Sequence, residues 1–421
     1  MKKVLILTYY WPPGSGAGVQ RWLKFSSYLP EFGWSPVILT VDPDYAVYPA
    51  LDSSLENNLP AQIKIHKTKA TDWFRLYSRD KSKVPSAGFA KNKDNSFKGK
   101  ILRFIRGNMF IPDPRKGWNK YAFKKAVEII ENENISHIIT TSPPHSTQLI
   151  GLNLKKKFPD IKWIADLRDP WTDIYYYNQF YPTLISRLID SALEIKVLKS
   201  SDQIITVGNS LKDLFASKSP GIEEKIEVIT NGYDEEDFKG AININPDKFT
   251  ISYIGTLSDA YPVNGFLSAL EKFRDEGSDF LFRLVGTVSS VQKEKITEKP
   301  GIEKVEFLPY VNHHEAINYM MSSNILLLII PDHHSNKSIL TGKLFEYLAS
   351  GKRVLCLGPV DGDAAEILEH YHSGKCFFYN DTVGIENFIR TTMANPPDTG
   401  KTIPVEFSRR FLTKQLASLL K

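Results

Sequence analysis

At 421 residues the chain is too long for one ordinary hydrophobic core, so two domains are expected. With 42% hydrophobic and 24% charged residues it has the composition of a soluble globular protein, and no apolar run approaches the roughly 20 residues of a membrane span. The net charge of +5 is concentrated: residues 91–125 hold eleven Lys and Arg against Asp94 and Asp113, a local net of +9 that leaves about −4 elsewhere and points to an anionic partner there.

The N-terminal run Met1-Lys-Lys-Val-Leu-Ile-Leu is too short for a signal peptide and no small-residue cleavage site follows. It reads as a first β-strand, Lys3–Thr8, and a cytoplasmic location is expected. Gly14, Gly16 and Gly18 follow at once. They let the backbone lie close to something bulky and anionic, with a helix start behind it. The third glycine comes one residue early for the dinucleotide fingerprint. Asp42, after the second strand, nevertheless stands where a ribose-binding acid would, which keeps a dehydrogenase open. Further strands are expected over Pro36–Val41, Ile63–His66, His137–Thr141, Trp163–Asp166, Gln203–Val207 and Ile226–Ile229. Their β-branched runs without strict alternation fit a parallel sheet covered on both faces.

Three places in this half carry chemistry. Phe97, Ile101, Phe104 and Ile105 form one side of a helix, with Lys100, Arg103 and Arg106 opposite. That pattern suits the surface of an anionic bilayer, or a basic acceptor-binding insertion. Ser142-Pro-Pro-His145 follows a strand, so His145 is a candidate acceptor contact. Ala165-Asp-Leu-Arg-Asp-Pro-Trp171 puts Arg168, Asp169 and Trp171 at a strand's C-terminal end, where open α/β sheets bind ligands. A structural Asp–Arg pair is the alternative.

The stretch from Thr230 to Asp247 reads as a linker, and the pattern restarts after it. Strands are expected at Phe249–Ile254, Phe280–Val285, Val305–Leu308, Ile325–Ile330, Arg353–Leu357 and Cys376–Tyr379. Helices are expected at Val263–Asp275, Glu315–Met321, Thr341–Ser350, Ala364–His370 and Thr382–Met393, with an amphipathic helix closing the chain. Cys356 and Cys376 are too few for a cysteine metal site and read as buried thiols of a reducing compartment. The pairs His313-His314 and His333-His334 lack metal-helix spacing and read as solvated.

The segment Leu340-Thr-Gly-Lys-Leu-Phe-Glu-Tyr-Leu-Ala-Ser-Gly-Lys-Arg-Val-Leu-Cys-Leu-Gly358 is the most informative. It reads as a helix stopped at Gly351 and followed by a buried strand. Lys343 and Glu346 share a face near the helix start, where unpaired N–H groups and a partial positive charge suit a phosphate. The amides around Thr341, Gly342 and Leu344, with Lys343, would hold a diphosphate, and Glu346 sugar or ribose hydroxyls.

The spelling Lys-Leu-Phe-Glu-Tyr-Leu-Ala-x-Gly-Lys before a strand resembles the donor-site helix of glycosyltransferase family 4. The resemblance covers most of the chain. It implies a GT-B fold: two Rossmann-like doubly wound α/β domains facing across a cleft, with residues 1–235 and a returning helix 405–421 binding the acceptor and residues 247–395 the donor. It implies a retaining transfer from a nucleotide-diphosphate sugar to a glycan or lipid-linked acceptor, as in surface polysaccharide synthesis. No metal, other cofactor or nucleic acid is expected. The loop at Gly16 and Gly18, the turn at Gly255 and Thr256, and the backbone of Tyr310 and Val311 would contact the donor, with Arg168 or Asp169 near its sugar. Two departures stand out. Ser338 replaces the first of the family's paired glutamates, and Thr256 to Leu270 contains none of the Lys or Arg expected after Gly255. Lys343 would then carry the diphosphate charge, aided by Lys337 or Arg21. An epimerase of the same architecture and a catalytically silent nucleotide-binding subunit are the alternatives.

Overall fold

The computed structural model describes residues 1–48, 51–57, 59–60, 62–73, 96–240, 246–298, 304–395 and 403–421. The chain divides into two compact units, Met1–Asn231 with Arg409–Lys421, and Gly232–Ser408.

The first unit is built on a seven-stranded parallel sheet. Its strands are β1 (Lys2–Leu7), β2 (Trp34–Val41), β3 (Lys64–Thr68), β4 (His137–Ser142), β5 (Lys162–Leu167), β6 (Gln203–Thr206) and β7 (Ile226–Val228), ordered β3-β2-β1-β4-β5-β6-β7. Its helices include α1 (Ala17–Tyr28), α2 (Ser54–Asn57), α3 (Phe97–Met109), α4 (Asn119–Glu133), α5 (Ser146–Lys157), α6 (Leu184–Ser200) and α7 (Asn209–Lys218). Side chains alternate between the two faces of a strand, so each apolar run feeds two cores. Leu5, Leu7, Leu39 and Ile138 enter one; Val4, Ile6, Ile38 and Ile139 enter the other.

The second unit repeats the plan with six parallel strands. These are β8 (Phe249–Ile254), β9 (Phe280–Val285), β10 (Val305–Leu308), β11 (Ile325–Ile329), β12 (Arg353–Leu357) and β13 (Gly374–Phe377), ordered β10-β9-β8-β11-β12-β13. The helices are α8 (Asn264–Asp275), α9 (Ser290–Thr297), α10 (His313–Met321), α11 (Gly342–Ala349), α12 (Asp363–His370) and α13 (Thr382–Ala394). The final helix, α14 (Arg409–Leu419), belongs to the first unit. Its Leu412 and Leu416, with Leu420 just after it, join Trp22 and Phe25 of α1 in one core, and Arg410 reaches Glu31 at 2.6 Å. Cys356 and Cys376 are buried free thiols on paired strands, 3.2 Å apart.

Three expectations need correction. β13 begins two residues early, at Gly374, where a Cβ would collide with the Val354 carbonyl of β12; only glycine allows that approach. The helix α9 went unpredicted, because its sequence lacks an apolar stripe. It is held instead by its Ser289 cap and by Gln292, whose side-chain amide donates to the carbonyls of Ser258 and Tyr261. On α3, Arg106 does not join a solvated basic face: it is buried, its guanidinium 4.0 Å from the ring centroid of Phe180. Of the basic stretch 91–125, residues 91–95 lie outside the described residues.

Candidate functional site

In a doubly wound sheet the strand order reverses at one point, and loops leaving the strands there diverge to open a ligand crevice. In the second unit that point lies between β8 and β11. The turn after β8 and the start of α11 therefore meet. Gly255 has φ +124°, and a Cβ there would lie 2.6 Å from Lys343 Cε and Nζ. Gly286, with φ +122°, closes on the Gly255 carbonyl in the same way. The two glycines let backbone and lysine pack into one corner.

Lys343 is fixed there. Its Nζ donates to the Tyr253 hydroxyl at 2.9 Å and lies 4.3 Å from that ring's centroid. The Tyr253 hydroxyl in turn donates to the Thr256 carbonyl at 2.7 Å. Burial pushes the Lys343 pKa down to about 8, opposed by the nearby Glu346 carboxylate. Thr341 precedes α11 without capping it, and its Oγ1 is buried with no partner among the described residues. The first turn of α11 thus has no side-chain cap from Thr341 and starts beside a lysine ammonium, and uncapped helix starts are positions suited to anions.

The remaining expected donor contacts are placed as follows. Leu344 is in the core and its N–H goes to the Thr341 carbonyl at 3.2 Å. Thr256 and Tyr310 are exposed, Val311 half-buried. Glu346 is half-buried, 4.0 Å from His313 Nε2, which lies 3.1 Å from Asp237 Oδ2. His313 is therefore not simply solvated. It opens α10 directly after the Tyr310-Val311-Asn312 turn, and only that position hinted at it. Tyr253 was missed because it reads as one more apolar strand residue. Lys337 pairs with Asp361. Arg21 is not available to a ligand: it is fully buried, bonded to Asp166 at 3.2 Å and to the Thr230 carbonyl.

In the first unit the order reverses between β1 and β4. The glycine loop after β1 lies against the chain leaving β5: a Cβ at Gly18 would run into the Arg168 guanidinium, whereas Gly16, at φ +110°, is open. The two acids of the β5 motif part company. Asp166 is buried and receives Arg21, Trp22 Nε1 at 2.7 Å and Thr141 Oγ1 at 2.7 Å, so it ties α1 and β4 to the sheet. Asp169 is half-buried, and no hydrogen bond reaches its carboxylate among the described residues. Burial raises its pKa, with Arg168 opposing. Arg168 bridges Asp166 at 3.6 Å and the Pro143 carbonyl at 3.5 Å.

His145 stacks on Trp171, centroids 4.9 Å apart. Burial lowers its pKa to about 3, so it is neutral at pH 7, and neither ring nitrogen has a partner among the described residues. Trp171 itself is buried, its N–H given to Asp190 at 2.7 Å; it backs His145 from within the core. Asp42, the residue that kept a dehydrogenase open, accepts from the Asp44 N–H and shapes its own turn.

Residues 234–402 match the family described as glycosyl transferases group 1, and residues 85–237 that described as glycosyltransferase family 4. No curated protein matches the chain. Among solved structures, sucrose-phosphate synthase from Thermosynechococcus elongatus is similar over 100% of this chain and 98% of its own, with TM-score 0.64 and 12% identity. The lipopolysaccharide outer core galactosyltransferase WaaB gives 0.61 and 11%, over 100% and 99%. HepE of Anabaena, in complex with UDP, gives 0.56 and 14%, over 100% and 95%. At such identities the likeness is one of fold, two parallel-sheet α/β domains of the GT-B kind.

Proposed function

We propose that this chain, a glycosyltransferase of the family 4 type by the matches to both its halves, moves a sugar from a nucleotide-diphosphate sugar to a glycan or lipid-linked acceptor. The transfer retains the anomeric configuration, needs no metal and serves surface polysaccharide synthesis, with the protein peripheral on an anionic membrane. The observation that carries the donor half of this reading is Lys343, locked by Tyr253 over Gly255 at the start of α11.

In the reaction the bond between the sugar's C1 and the diphosphate oxygen breaks, and the acceptor oxygen bonds to C1 on the same face. Negative charge gathers on the leaving diphosphate. Dipoles and cations already in place stabilise that charge without reorganising, which is where electrostatic catalysis gains most. The α11 amides and Lys343 supply them here. Glu346 would hold sugar or ribose hydroxyls. The acceptor's proton passes to the departing diphosphate, so no protein base is needed. Asp169 and Arg168 position the reacting groups, and the Gly16–Gly18 loop covers them.

UDP, which the HepE structure contains, is the first nucleotide to test. Radiolabel transfer from a panel of nucleotide-sugars to membrane extracts should persist in EDTA and disappear in Glu346→Gln with the fold intact. Wild-type turnover in that variant would remove the donor assignment. Nucleotide binding without any transfer would favour a silent subunit, in keeping with Ser338 and the missing cations after Gly255.

A further inference from the structure

The membrane part of that reading can be given a definite surface. The N-terminal turns of α6 carry Leu184, Ile185, Leu188 and Ile189, and all four point outward, the first three exposed by 73, 70 and 62%. Positions i, i+1, i+4 and i+5 share one helix face, so this is a continuous apolar strip. A contiguous exposed apolar patch of this kind marks a contact with another protein or a membrane.

The strip is not alone. On α3, Phe97, Ile101 and Phe104 are also exposed and fall on one face. The next position on that face is Asn108, and it fastens α3 to α6. Its Oδ1 accepts from the Thr183 N–H and the Ser186 hydroxyl, each at 2.7 Å, and its Nδ2 donates to the Tyr181 carbonyl. Gly107 packs beneath against the Phe180 backbone. One asparagine near the end of α3 thus fastens the start of α6, whose own N-cap is Thr183, and brings the two apolar faces to one corner of the first unit.

Its charge identifies the occupant. Residues 96–112 and 174–189, which build the corner, contain Lys98, Lys100, Arg103, Arg106 and Arg187 and no Asp or Glu. Lys98, Lys100 and Arg187 are exposed at the rim. A second copy of the chain would bring the same positive rim against itself. An anionic lipid surface complements both the apolar centre and the basic edge. No helix among the described residues is long and apolar enough to cross a membrane, so the contact is interfacial.

We propose that the α3–α6 corner is a bilayer-docking platform that inserts the α6 strip and Phe97, Ile101 and Phe104 between anionic lipid headgroups. The platform rests on the peripheral-membrane part of the reading above and not on the donor chemistry.

Full-length protein should sediment with phosphatidylcholine vesicles containing phosphatidylglycerol at low salt, and far less with phosphatidylcholine alone. L184E/L188E should weaken that binding at least about tenfold. K98E/K100E, on the other helix, should weaken it about tenfold or more and flatten its salt dependence. The thermal shift given by UDP should be the same in both variants as in wild type, so a failed donor site is distinguishable from a failed platform. Absence of binding to phosphatidylglycerol vesicles would overturn the proposal. So would binding that neither variant reduces, or a dimer that L184E/L188E dissociates.

Discussion

Lys343 sets the most specific expectations at the scale of single residues. Its pKa is lowered to about 8 from an ordinary 10.5 because the folded chain desolvates the ammonium. Between those values the unfolded chain holds the proton that the folded chain has lost, so the ligand-free protein should gain stability as pH rises through that window. Phosphate binding should do the opposite. A bound diphosphate favours the ammonium, so nucleotide affinity should fall by about tenfold per pH unit once pH exceeds about 8. Calorimetric titration of UDP across that range checks the sign, and a flat profile would show that Lys343 does not meet the phosphate. Asp169 is tested by its product. If it positions rather than abstracts a proton, Asp169→Asn slows transfer and leaves the anomer α from an α-linked donor, as read by proton NMR of the first-formed product. Lys343 and Glu346 were legible because helix-start chemistry is local in sequence. Tyr253, His313 and Asp237 were not, since their roles arise only when turns far apart in the chain converge. Asp166 and Asp169 are three residues apart and identical in type; only packing separates them, Asp166 accepting from Arg21, Trp22 and Thr141 in the core while Asp169 is half-buried.

Among the elements, the strands were the most readable. Parallel strands covered on both faces are short apolar runs, and each run expected appears in a sheet, most within a residue or two of its expected bounds. What escaped was held by polar groups or by close approach: α9 by Gln292, and the start of β13 by Gly374. The terminal helix α14 is of the readable kind, with its apolar face completing the core around Trp22 and Phe25. Leu416 is fully buried there. Leu416→Ala should cost about 2–5 kcal/mol, partly transfer free energy and partly the cavity left behind. Urea unfolding followed by tryptophan fluorescence would measure it. A change below about 0.5 kcal/mol, the level of an exposed substitution, would mean that α14 does not close this core.

For the molecule as a whole, two sheets of one design present different groups at their reversal points: Lys343 packed on Gly255 in the second unit, and a glycine loop resting on Arg168 in the first. Of the positive charge of 91–125, Lys98 and Lys100 are exposed on α3, whereas Arg106 and Arg115 are buried. The central claim is that the second unit binds a nucleoside diphosphate through Lys343. A thermal-shift screen of nucleoside diphosphates against wild type and Lys343→Met tests it most directly. At a hundred times its dissociation constant the right nucleotide should stabilise the wild type by about 2.7 kcal/mol, with most of that lost in the variant. Stabilisation of wild type and variant alike, or by no nucleoside diphosphate at all, would contradict it.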